Sequence, residues 1–299
     1  MKTVQVLMSS YNGEKYIKEQ IESILNQKNV NIKLLIRDDG SSDNTLEILR
    51  EYQKRNNISI IYGKNLGYKK SFLTLVDFSE EADYYAFSDQ DDVWLDDKIY
   101  SGIKKIEKQG NNKPMLYCSA LQRVNERLYP EKTQKFNKLK LDVYSQLVRE
   151  RLAGCTFVFN KRLKNLIKGS SSLDLNYPHD SWTILVCYSC GGQVVFDDTP
   201  HILFRRYGTN TSVDGGGLIK RLRHEFRYFR KYKDQRYDTV RLLLRFRKND
   251  IQEKKFLYKI TNYKKSFGNT IKLAFDKRLD CGMKIPNIIN RVVIICRCF

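Results

Sequence analysis

Apolar and polar positions along the first third of the chain follow two alternating periods. Residues 3–9 (TVQVLMS) form a short β-branched, apolar run. From Gly13 the side chains of Ile17, Ile21, Ile24 and Leu25 recur at helical spacing. Residues 32–37 (IKLLIR) predict a second strand. Asp43 then stands where it can cap a helix that turns Leu46, Leu49 and Tyr52 inward. A third strand is predicted at 58–62, a helix over 71–78, a fourth strand at 84–87 and a further helix over 95–106. Strands alternating with helices call for a largely parallel sheet covered on both faces.

In such a sheet ligands sit beyond the carboxyl ends of the strands. Three polar clusters fall there: Ser9-Ser10-Tyr11-Asn12-Gly13, Asp38-Asp39-Gly40-Ser41-Ser42-Asp43 and Ser88-Asp89-Gln90-Asp91-Asp92. Carboxylates crowded on one edge repel unless a cation or donor groups neutralise them. A strand-end D-x-D offers hard oxygen ligands suited to magnesium or manganese, with open positions for phosphates. Taken alone it is read equally well as a solvated acidic turn, and Asp43 is better read as a helix cap.

The 299 residues are 41% hydrophobic and 12% aromatic, enough for a packed core, which excludes wholesale disorder. No apolar run approaches the length of a spanning helix, and the amino-terminal residues lack the pattern of a secretory signal, so a cytoplasmic chain is expected. The seven cysteines show no disulfide framework. Cys187 and Cys190 form a lone C-x-x-C, which is better read as helix packing than as zinc ligation.

Charge is uneven. The net charge is +20, yet residues 1–110 hold 16 basic and 18 acidic side chains, whereas residues 218–299 hold 23 and 7. A tail so basic is attracted to phosphate-bearing surfaces. From Leu218 onward Leu222, Phe226 and Phe229 recur at helical spacing among Lys and Arg, a basic amphipathic pattern. It fits a helix packed on the catalytic part or one lying on an anionic bilayer. Residues 288–299 (IINRVVIICRCF) are apolar with two Arg and suit docking on protein or lipid. A nucleic-acid-binding protein is the distant alternative; the excess charge lies outside the sheet and no nucleic-acid-reading motif occurs.

Taken together, SSYNGEKYIKEQIESILNQ, IRDDGSSDNT and YYAFSDQDDVW at this spacing resemble the inverting family 2 glycosyltransferases. The resemblance is strong over residues 3–110 and looser over 111–210. It implies the GT-A fold, a Rossmann-like mixed α/β sheet flanked by helices, here followed by a basic helical C-terminal extension. It further divides the chain into a nucleotide-sugar-binding half (1–110), an acceptor-binding half carrying the base (111–215) and the extension (216–299). The YNGE, RDDGSSD and SDQDDVW variants resemble bacterial transferases that build rhamnose-containing surface polysaccharides.

The resemblance also implies roles. Ser9 and Tyr11 line the nucleotide pocket, Asp39 contacts the base, and Asp38 shapes the turn beside it. Asp89 and Asp91 hold the sugar nucleotide and its Mn2+ or Mg2+, with Asp91 the direct ligand and Asp92 its neighbour. The catalytic base of the family matches Asp180, in Tyr177-Pro178-His179-Asp180-Ser181-Trp182. Its place in a first helical turn is equally what a plain N-terminal helix acid would occupy. His179, Gly154 and Trp182 are expected near acceptor or donor sugar, with a packed His179 as the alternative; Cys155 is expected in the core. Arg205 or Arg206 is expected to clamp phosphates, Tyr207 stands where the family often has His, and Gly215–Gly217 reads as a hinge. The expected donor is dTDP-rhamnose, with UDP-glucose, UDP-galactose or another UDP-sugar as the alternative. The expected partners are a glycan or lipid-linked acceptor and an anionic membrane surface, without nucleic acid; homo-oligomerisation is left open.

Overall fold

The protein is seen in a computed structural model that describes residues 1–207, 233–247 and 251–299. Expectations for Gly208 to Asn210, for the glycines at 215–217 and for the basic amphipathic pattern at 218–231 lie outside the described residues. The chain forms two units, residues 1–135 with 151–206, and residues 136–150 with 207–299. Residues 136–150, which the sequence places in the acceptor half, thus pack with the carboxyl-terminal helices.

In the first unit a seven-stranded sheet runs in the order β10-β6-β9-β4-β1-β2-β3. These are β1 (Lys2–Ser10), β2 (Val30–Asp38), β3 (Ile58–Tyr62), β4 (Tyr84–Ser88), β6 (Met115–Ser119), β9 (Val158–Asn160) and β10 (Gln193–Asp197). Strands β3, β2, β1 and β4 are mutually parallel, and β6 parallels β10; β9 lies antiparallel between β4 and β6. The sheet is therefore mixed, as expected. Residues on either side of position 110 share it, so the two expected halves are built around one sheet.

The early helices are α1 (Ile17–Leu25), α2 (Thr45–Tyr52), α3 (Tyr68–Phe78) and α4 (Lys98–Lys108), each overlapping a stretch of predicted helix, with α3 starting three residues earlier than predicted. Ile17, Ile21 and Ile24 of α1 pack with Val4, Val6 and Met8 of β1 in one buried cluster. All five residues of β4 are buried, as a strand covered on both faces requires. The helix predicted from Leu95 begins only at Lys98, because Val93–Trp94 form a short strand, β5.

A second sheet of four strands, β5-β11-β7-β8, uses β7 (Gln122–Val124), β8 (Pro130–Thr133) and β11 (Ile202–Arg205). Through β5 it fixes the chain after the acidic turn 89–92, while β4 of the first sheet fixes the chain before it. Two further helices, α6 (Lys161–Ile167) and α7 (His179–Ser189), complete this unit.

The second unit holds α5 (Val143–Val148), α8 (Gln235–Phe246), α9 (Lys254–Asn262), α10 (Phe267–Ala274) and α11 (Lys284–Ile295) among its described residues. Val240, Leu243, Phe256, Leu257, Ile260, Tyr263 and Leu273 form its buried interior. The Phe299 N–H donates to Tyr263 Oη at 3.2 Å, tying the last residue to that interior. No described helix is long and apolar enough to cross a membrane. No disulfide joins any of the seven cysteines.

Candidate active site

Strands β1 and β4 are neighbours that continue to opposite sides of the sheet, and their carboxyl ends frame the crevice where such sheets bind ligands. Ser9 Oγ lies 2.6 Å from Ser71 Oγ at the end of β1. Tyr11 follows with its ring about half exposed. Asn12 takes a left-handed conformation (φ 47°), so the chain turns sharply into α1. Its side-chain oxygen accepts from Ser42 N–H at 2.8 Å, and its N–H donates to Ser41 Oγ at 2.9 Å, joining the first two clusters.

Asp38 is buried and accepts from the N–H and the hydroxyl of Ser41. These bonds hold the turn 38–41 closed. Asp39 is also buried; it pairs with Arg37 and accepts from the N–H groups of Leu66 and Gly67, each at 2.8 Å. The Asp39 edge thus sits beside Ser9 through the shared neighbours Arg37 and Ser71.

Gln90 braces the crevice. Its side-chain oxygen accepts from Tyr11 N–H at 2.8 Å, and its amide nitrogen donates to Tyr11 carbonyl at 3.0 Å. A Cβ on Gly13 would lie 2.3 Å from Gln90 Oε1, so glycine there makes room for the brace.

The acidic turn is short of counter-charge. Burial, then the nearby carboxylates of Asp91 and Asp180, push Asp89 up to about 7. Burial, then Asp89 and Asp91, hold Asp92 well above the usual carboxylate range. Asp92 Oδ1 accepts from Arg205 N–H at 3.1 Å, while Oδ2 is buried without a partner. Donor atoms of Asp89, Asp92 and Cys155 lie within 4.8 Å of one another. Clustered carboxylate oxygens, one of them unsatisfied, fit a hard divalent cation.

Beneath this turn lies Lys98, which the sequence did not single out. It is fully buried, its ammonium sits 3.5 Å from the centre of the Trp94 ring, and Nζ has no hydrogen-bond partner. Burial pulls it down to about 7, and the charges of Cys155 and Asp92 oppose that shift.

On the opposite wall α7 brings Asp180. Pro178 is the residue that precedes the helix, in an extended conformation (ψ 141°), and Asp180 lies in the first turn. The helix start is fixed by His179, whose ring stacks on Phe72 of α3 at 3.9 Å and meets Phe87 of β4 edge-on at 5.0 Å. Burial lowers His179 to about 4, and its Nδ1 has no partner. His179 is thus packed among aromatic rings, 5% exposed. By anchoring α7 on the end of β4, it sets Asp180 beside Asp89. Gly154, in the turn Gly154–Thr156, permits this approach, because a Cβ there would stand 3.1 Å from His179 Nε2. Cys155 is buried, as expected.

Two expectations need correction. Trp182 has no exposed surface, and its indole N–H donates to Ser170 Oγ at 2.9 Å, so it packs the helix and does not face the crevice. Arg205 is 2% exposed; its guanidinium is held by the carbonyls of Asp91 and Glu126 and by the Glu19 carboxylate, over the Tyr16 ring. It is a strut behind the acidic turn, with its donors already committed. Arg206 is partly exposed, and its backbone N–H is held by the Val124 carbonyl at 2.8 Å.

Comparison with known proteins bears on the family and the fold. The sequence profile of Glycosyl transferase family 2 matches residues 5–165. A dTDP-rhamnosyl transferase, RfbG of Shigella flexneri, is 31% identical over 215 residues, which cover 68% of this chain and 72% of RfbG. An uncharacterised glycosyltransferase of Rickettsia prowazekii is 30% identical, over 59% of this chain and 56% of its own length. The crystal structure of residues 1–349 of S. aureus TarS with UDP-GlcNAc superposes with a TM-score of 0.60 at 17% identity, covering 99% of this chain and 82% of that one. The likeness to TarS is one of fold.

Proposed function

Because the chain belongs to glycosyl transferase family 2 and has its GT-A fold, we propose that it is an inverting, metal-dependent hexosyltransferase. It moves a sugar from a nucleoside diphosphate to a glycan or lipid-linked acceptor of a bacterial surface polysaccharide, at the cytoplasmic face of the membrane. The observation that carries this reading is the meeting of Asp180 with the acidic turn: two walls far apart in sequence place a carboxylate within electrostatic reach of Asp89.

The nucleobase stacks on the exposed face of Tyr11, with Ser9 and the Asp39 edge beside it and Asp38 holding the turn. Asp91, with Asp89 and Asp92 as neighbours, would hold a divalent cation, which supplies charge neutralisation for the departing diphosphate. Arg206 contributes a guanidinium toward the phosphates. Asp180 takes the proton of the acceptor hydroxyl as that oxygen attacks the anomeric carbon, opposite the leaving group. One carboxylate on the acceptor side and in-line attack invert the configuration; a retaining double displacement needs a nucleophile under the sugar.

RfbG, described as a dTDP-rhamnosyl transferase, supports dTDP-L-rhamnose as the donor. UDP-sugars are the second reading, supported by the UDP-GlcNAc complex of TarS. The test is a panel of dTDP-rhamnose, UDP-glucose, UDP-galactose and UDP-GlcNAc with Mn2+. One donor is expected to raise the melting temperature and to be consumed with inversion at the anomeric carbon. Asp180→Asn is expected to keep donor binding and lose transfer. Full transfer by Asp180→Asn, or binding of donor by Asp91→Asn with an unchanged metal-dependent gain, would defeat the assignment.

A further inference from the structure

The last helix, α11, is amphipathic in both directions. Pro286, Asn290, Val293 and Ile294 face the interior of the second unit. On the opposite side Ile285, Ile288, Val292 and Ile295 are 50%, 58%, 53% and 39% exposed. Their spacing of three, four and three residues puts all four on one stripe of the helix surface. Phe275 extends the stripe, itself exposed, with the guanidinium of Arg291 5.8 Å from its ring centre. Aliphatic side chains in such a row are not scattered surface residues; a contiguous apolar patch marks a binding face.

Charge selects the partner. Lys284 and Arg291 border the stripe, and residues 281–299 contain no acidic side chain. The acids nearby in sequence are spent: Asp276 pairs with Lys259 and Arg278, and Asp280 with Lys140. A second copy would bring the same uncompensated positive charge and be repelled. A surface that is apolar beneath and negative on top satisfies both the stripe and its rim.

We propose that the outer face of α11 docks on an anionic lipid bilayer, with Ile285, Ile288, Val292 and Ile295 entering the headgroup boundary and Lys284 and Arg291 on the phosphates. This rests on the membrane association included in the proposed function and names the surface responsible.

The experiment is co-sedimentation of the full chain with vesicles of phosphatidylglycerol and phosphatidylcholine in equal parts, and of phosphatidylcholine alone. The double variant Ile288→Glu/Val292→Glu runs beside the parent, both checked by circular dichroism and melting temperature. Both side chains are exposed, so the variant is expected to fold. The parent is expected to bind the anionic vesicles, to lose binding as salt rises, and to bind phosphatidylcholine at least tenfold more weakly. The double variant is expected to lose at least tenfold in anionic partitioning while retaining donor-dependent thermal stabilisation. Equal binding by parent and variant overturns the α11 assignment and leaves membrane association to another surface. No binding by the parent overturns both. A concentration-dependent dimer that the double variant disperses, without vesicle binding, gives the face to a second copy and also overturns the proposal.

Discussion

A Cβ placed on Gly154 would stand 2.9 Å from the Cβ of Asp180 and 3.3 Å from its Oδ2. Contacts below 3 Å between carbons force something to move, and what moves here is the carboxylate at the start of α7. Gly154→Ala is expected to leave the nucleotide pocket intact and to displace Asp180 by a fraction of an ångström. Reaction geometry is sensitive to such shifts, so kcat is expected to fall by about 10- to 100-fold. Donor affinity, read by calorimetry, should stay within about twofold, since the altered contact is with the proposed base Asp180. A kcat equal to the parent's would show that the two residues do not constrain each other.

The adjacent arginines are expected to separate cleanly. Arg205 is buried and bridges the turn 91–92, Glu126 and Glu19. Removing it strands buried acceptors, so Arg205→Met should destabilise the fold by about 3 kcal/mol. Arg206→Met should cost less stability than Arg205→Met and weaken donor binding roughly tenfold, the loss of one charge-assisted contact. Thermal denaturation and donor titration on both variants decide the matter; the reverse pattern would make Arg205 the phosphate ligand.

His179 ties stability to pH. Its folded value is pushed down to about 4 by burial, against 6.5 for an ordinary imidazole. Between those values the unfolded chain binds a proton that the folded chain refuses. Stability contributed by this group is therefore complete above pH 6.5 and is lost as pH falls toward 4, at up to about 1.4 kcal/mol per pH unit. His179→Phe should flatten that part of the profile in urea unfolding across pH 4 to 7. An unchanged slope would mean that the ring is not held neutral by its aromatic neighbours.

Gln90 closes a pair of hydrogen bonds with the backbone of Tyr11. Each is worth about 1 kcal/mol net. Gln90→Ala should free the loop bearing Tyr11, the ring proposed to stack on the nucleobase, raising the donor KM by about tenfold at unchanged kcat. Steady-state kinetics over a donor series checks this, and a fall in kcat at constant KM would place Gln90 with the chemistry instead.

The sequence by itself determined most strands and helices of the first third and the polar clusters at their ends, because period and turn chemistry are local properties of the chain. The acidic turn, the DDG turn and the helix carrying Asp180 were legible for the same reason: each is a short motif at an element boundary. What only the tertiary structure decided is which of these residues meet. The antiparallel insertion of β9 between β4 and β6 rests on long-range pairings, such as Tyr84 with Asn160 and Leu116 with Phe159, and no periodicity encodes it. The burial of Arg205, Trp182 and Lys98 is likewise invisible in the chain. A basic or aromatic side chain beside a motif reads as a ligand contact until packing shows its donors already taken. Gly154 and Gln90 acquire meaning only through Asp180 and Tyr11, partners brought near by the folded sheet and not by the order of residues.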